Sequence, residues 1–168
     1  MKTNGKARKR LAAELRPGEQ IEATVRLQAR IVVDGGVSRN SYTLRYLREF
    51  LRDADVESQL RHDLGEPWLT LTNERALFHK WKVTSIRPSP GDFITETPID
   101  DLSLHWADMS AQGVRYRMMS LLFADGRFLI LYSPLGPVLR KNKNWDDEAA
   151  ALIEAFGDRA TGVDVPSS

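Results

Sequence analysis

Ile21-Glu-Ala-Thr-Val-Arg-Leu-Gln-Ala-Arg-Ile-Val-Val33 decides the fold class, because apolar residues hold every odd position while Glu22, Thr24, Arg26, Gln28 and Arg30 fall between them. A period of two puts one apolar row on one face of a pleated chain, and the β-branched members favour that conformation. A long half-buried strand over 21–33 is therefore predicted. It stops at Asp34-Gly35-Gly36, where glycine accepts positive φ without a Cβ clash.

Downstream of that turn the period changes. Asn40-Ser41 suits a helix cap, and Leu44, Leu47 and Leu51 recur at helical spacing, with Tyr46 and Phe50 widening the stripe and Tyr42 just before it. Arg45, Arg48 and Arg52 lie off the stripe, and Val56, Leu60 and Leu64 resume the period after Asp53 and Asp55. Residues 38–64 form one predicted helical excursion.

Strand signals then dominate. Trp68 to Thr72 and Arg75 to Lys82 flank Asn73-Glu74 as a hairpin, and Pro88, Pro90 and Gly91 mark a loop before a strand at 93–97. A further strand is expected at 102–106. Ala124-Asp125-Gly126 joins two apolar runs, 115–123 and 127–133, and Asp-Gly is a favoured hairpin dipeptide. Met118-Met119 with Leu121 to Phe123 is apolar in both parities, as a strand covered on both sides would be. Ala149, Leu152, Ile153 and Phe156 then give a helical stripe, with acids in its first turn and Gly157 at its end, so a helix is predicted over about 145–156.

The chain of 168 residues carries 24 Lys and Arg against 23 Asp and Glu, a formal charge of +1, so any basic surface is local. Absence of cysteine excludes disulfides, thiolate nucleophiles and Cys-ligated zinc. His62, His79 and His105 lack metal-ligand spacing, no Gly-x-Ser-x-Gly or phosphate-loop pattern occurs, and Asp100-Asp101 and Asp146-Asp147 fit a turn and a helix start. These readings exclude the familiar catalytic classes and leave no expected cofactor or metal. No apolar run is long enough for a membrane span or a signal peptide, so a cytoplasmic protein is expected. The division is a basic flexible arm at 1–14 (Lys2, Lys6, Arg8, Lys9, Arg10), one domain at 15–157, and a disordered tail at 158–168.

Leu15-Arg-Pro-Gly-Glu-Gln-Ile21, Trp68 to Phe78 with its Leu-Thr-x-x-Arg core, Thr97-Pro-Ile-Asp-Asp-Leu102 and the Asp125-Gly126 hairpin together resemble bacterial pleckstrin-homology-like (PH-like) domains. These have a Pro-Gly-Glu approach to the first strand and a Leu-Thr-x-x-Arg hairpin. The similarity implies an α+β, mainly β fold: a PH-like barrel or split β-sheet with a C-terminal amphipathic helix, here with a helical insertion after the first strand. It further implies a binding or scaffold module that recognises a protein or peptide, not an enzyme. The insertion reads either as a lid on the barrel's flank or as the partner surface, with Arg45, Arg48, Arg52, Tyr46 and Phe50; Arg26, Arg30, Lys80 and Lys82 are next in line. The alternative is binding of nucleic acid or an anionic membrane surface through the basic arm and the insertion's arginines. A lipid headgroup site is not carried over, since the strand at 68–72 has no basic residue.

Overall fold

The structure is a computed structural model, and it describes residues 9–26, 67–84, 87–111, 114–135 and 144–163. Eight strands fall into two sheets. β1 (Ile21–Arg26), β2 (Pro67–Thr72), β3 (Arg75–Thr84) and β4 (Arg87–Pro98) form the first in the order β1-β2-β3-β4, with every neighbour antiparallel. β5 (Leu102–Ala111), β6 (Val114–Phe123), β7 (Phe128–Leu135) and β8 (Ala160–Gly162) form the second in the order β7-β6-β5-β8. The fold is thus mainly β with a C-terminal helix at Asn144–Phe156, and the described strands close into two sheets, not one barrel. Among the described residues no helix is long and apolar enough to cross a membrane.

Alternation explains where the core sits. Ala23 and Val25 of β1, Leu69 and Leu71 of β2, and Ala76 and Phe78 of β3 share the first sheet's inner face. Leu102, Leu104, Met119, Leu121, Phe123, Leu129 and Leu131 supply the second, and the rings of Phe78 and Phe123 meet at 6.0 Å. The helix contributes Ala149, Leu152 and Phe156, three members of the predicted stripe, to the same cluster. β6 is covered on both faces, since Met118 and Ser120 are buried as well as Met119 and Leu121. The Asp125-Gly126 turn takes the form its dipeptide favours, with Gly126 at φ 85°.

Three expectations change. Pro88, Pro90 and Gly91 do not form a loop; they lie inside β4, which runs unbroken from Arg87 to Pro98. β4 is the edge of its sheet among the described strands, and proline's missing N–H is tolerated on an edge. Irregularities in the β3–β4 ladder at Phe78/His79 and His79/Trp81 absorb the mismatch. The tail does not begin at 158: a 3-10 turn at Gly157–Arg159 leads into β8, which pairs parallel with β5 through Leu104↔Ala160, His105↔Thr161 and Trp106↔Gly162. Three residues are too short for a periodic signal. Residues 9–14, expected to belong to a flexible arm, form a turn tied to the first sheet. The extension of the first strand beyond Arg26, the insertion at 38–64 and residues 1–8 lie outside the described residues.

Candidate functional site

A buried network of polar side chains lies on the outer face of the first sheet. Pro17 and Gly18, the latter at φ 87°, turn the chain so that Glu19 enters the protein just before β1. Its carboxylate has no exposed side-chain surface and meets Arg75 in a fork, Nε to Oε1 at 2.8 Å and Nη2 to Oε2 at 2.9 Å. The Thr72 hydroxyl donates to Oε1 at 2.7 Å, and the Arg16 backbone N–H donates to Oε2 at 2.7 Å. Hydrogen bonding from Arg75 lowers the Glu19 pKa to about 2; burial opposes this, and the Arg16 and Thr72 bonds reinforce it. Glu19 in turn raises the already high pKa of Arg75. Both groups are therefore charged at neutral pH.

Arg75 does more than pair with Glu19. Its Nη1 ion-pairs with Glu96 of β4, and its Nη2 also donates to the Glu14 carbonyl at 2.9 Å. Arg16 reaches the same Glu96 at 2.7 Å. Thr72 and Asn73 complete the joint: the Thr72 hydroxyl accepts the Arg75 N–H at 3.0 Å, and Asn73 Oδ1 accepts the Gln20 N–H at 2.8 Å. One guanidinium therefore ties the lead-in to β1, the β2–β3 turn and β4 together. Planar bidentate geometry of this kind is available to Arg and not to Lys.

Further along this face the ladder sets Trp68 opposite His79 and Thr70 opposite Leu77, all four buried. His79 Nε2 lies 2.7 Å from Glu14 Oε2 in the N-terminal turn. A carboxylate only accepts, so His79 Nε2 donates in this bond. Nδ1 is buried without a hydrogen-bond partner, and so are Trp68 Nε1 and Thr70 Oγ1 on the same face. Leu11 of the turn is fully buried, and its neighbour Arg10 donates to the Gly91 carbonyl of β4 at 3.2 Å. At the border Phe93 is 51% exposed and stands edge-on to His79 at 5.7 Å.

The expected site residues are not brought together here. Arg45, Arg48, Arg52, Tyr46, Phe50 and Arg30 lie outside the described residues. Arg26 closes β1 opposite Trp68, whereas Lys80 pairs with the adjacent Pro67, so the ladder assigns positions 26 and 80 to opposite faces. Lys80 is exposed, and Lys82 belongs to β3. Among the described residues no three His, Asp or Glu side chains cluster for a metal ion. Trp106 is half-buried against the core, with the Arg117 guanidinium 4.7 Å from its ring centre.

Residue-by-residue reading missed the Glu14, Glu19, Arg75, His79 and Glu96 group. A signal was present: Glu19 and Arg75 are the two charged positions of the quoted Pro-Gly-Glu and Leu-Thr-x-x-Arg motifs, opposite in sign and 56 residues apart. Other arginines are similarly occupied. Arg117 forks onto Asp108, Arg127 holds Asp125, and Arg159 holds Asp100. No family model, curated protein or solved structure matches this chain.

Proposed function

We propose that the chain is a non-catalytic binding or scaffold module of PH-like type that recognises a protein or peptide. The order of four antiparallel strands, a second sheet and a helix closing the core supports the PH-like reading. A single observation favours a protein over a polyanion: Arg16, Arg75, Arg117, Arg127 and Arg159 each hold a carboxylate of this chain. Guanidiniums neutralised in this way are poor phosphate contacts, because binding a phosphate would first require breaking an existing pair. The Glu19–Arg75 joint acts as framework and not as reactive chemistry, since both groups are saturated with hydrogen bonds.

Capture on the immobilised full chain from nuclease-treated extract, at about 0.1 and about 0.5 M salt, tests this reading. The expectation is a protein retained at both concentrations and lost on reversing Arg45, Arg48 and Arg52 to Glu, with the melting temperature unchanged. Retention that vanishes at the higher salt would instead identify a polyanion ligand. Retention unchanged in the triple variant would move the contact to the strands, with Arg26, Arg30, Lys80 and Lys82 next to be reversed.

A further inference from the structure

The N-terminal turn is attached to the first sheet as a ligand would be. Leu11 is its one fully buried side chain, and its other ties are polar: Arg10 to the Gly91 carbonyl, Glu14 to His79, and the Glu14 carbonyl to Arg75. Beneath these ties lies a joint that does not need the turn, because Glu19, Thr72, Arg75 and Glu96 bond one another. The same face keeps three buried polar atoms without partners, Trp68 Nε1, Thr70 Oγ1 and His79 Nδ1. A buried polar group without a partner is costly, and a face that carries three together suits a ligand that supplies partners.

We propose that the outer face of β2 and β3 is a peptide-recognition site which the chain's own Leu11-Ala-Ala-Glu14 turn occupies in cis, and that the partner is a peptide offering the same Leu-x-x-Glu turn. Leu fills the buried position, and the Glu carboxylate accepts from His79 Nε2. The unpartnered atoms comprise a donor at Trp68, a ring nitrogen at His79 and a hydroxyl at Thr70 that serves as donor or acceptor. A neighbouring hydroxyl or primary amide on the peptide completes them, which gives a partner the advantage over the resident turn. Phe93, already exposed beside His79, forms the rim. The turn is thus autoinhibitory and is displaced when the partner binds.

The inference rests on the binding-module reading but fails separately from it, since it concerns one face and one peptide class. A fluorescent peptide with the sequence of residues 6–18 is titrated onto the full chain and onto the full chain carrying Leu11→Ala and Glu14→Ala. At least tenfold tighter binding to the variant is expected, and a peptide bearing the same two substitutions should not bind. Equal binding to both chains, or none to a variant that still melts cooperatively, would overturn the proposal. Hydrogen exchange in the wild-type chain decides independently of whether the variant folds. The Ala13 and Glu14 amides, bonded to the Arg10 and Leu11 carbonyls, should exchange by local opening, faster than those of β3. Exchange of these amides only through global unfolding would make the turn a fixed part of the fold and refute its displacement.

Discussion

Replacing Glu19 with Gln keeps the shape of the side chain and removes the charge that holds Arg75. In the native protein this carboxyl ionises at about 2 against an ordinary 4.5, its largest cause being the hydrogen bond from Arg75. At about 1.4 kcal/mol per unit, that difference corresponds to roughly 3 kcal/mol. Because the folded value is the lower one, the contribution is fully present above about pH 4.5 and is lost as the pH falls toward 2. The neutral amide lacks it at every pH. Removing one partner of a buried pair typically costs about 3 to 5 kcal/mol, and the lower end applies here because Glu96 remains on the Arg75 guanidinium. Urea unfolding followed by far-UV circular dichroism between about pH 7 and pH 3 reads both effects. The wild-type chain should be about 3 kcal/mol more stable than Glu19→Gln near neutrality, and the gap should narrow as the pH falls below about 4.5. Parallel stability curves for the two proteins across that range would refute the assignment of Glu19 as the charge that locks the joint.

Gly162→Ala should cost about 1 to 3 kcal/mol, since the added Cβ would stand 2.8 Å from the Trp106 ring; loss of stability with a shifted tryptophan emission checks it. Leu152→Ala and Phe156→Ala should each lower stability by about 2 to 5 kcal/mol in urea melts, because both side chains belong to the shared core. Thr70→Val should be neutral or slightly stabilising in the free chain, since its hydroxyl has no partner there, and the same change should weaken binding of the Leu-x-x-Glu class of peptide.

Legibility followed the range over which each signal acts. The C-terminal helix, the β2–β3 hairpin and the Asp125-Gly126 turn rest on local periodicity and turn chemistry, and each stands where expected, the helix starting one residue earlier, at Asn144. β4 was obscured because Pro88 and Pro90 argue locally for a loop, and only a position at the sheet edge makes them acceptable. β8 exists through three parallel pairings with β5, which a three-residue stretch cannot announce. The buried joint was invisible for a different reason: Glu19 and Arg75 each look like surface charges until folding brings them together. Leu11-Ala-Ala-Glu-Leu15 reads locally as one helical turn, but its attachment to His79 and Gly91 depends on strands more than 60 residues away.

The distinction between a protein-binding module and a polyanion binder is measured most directly with defined probes on the full chain. A mixed-sequence single-stranded oligonucleotide and phosphatidylserine vesicles are each titrated while the salt is raised from about 50 to about 300 mM. With Arg16, Arg75, Arg117, Arg127 and Arg159 held by carboxylates, the chain should show no saturable binding to either probe near physiological salt. Tight saturable binding, with an affinity that falls steeply as salt rises, would contradict the account and assign the function to the basic arm and the arginines of the insertion.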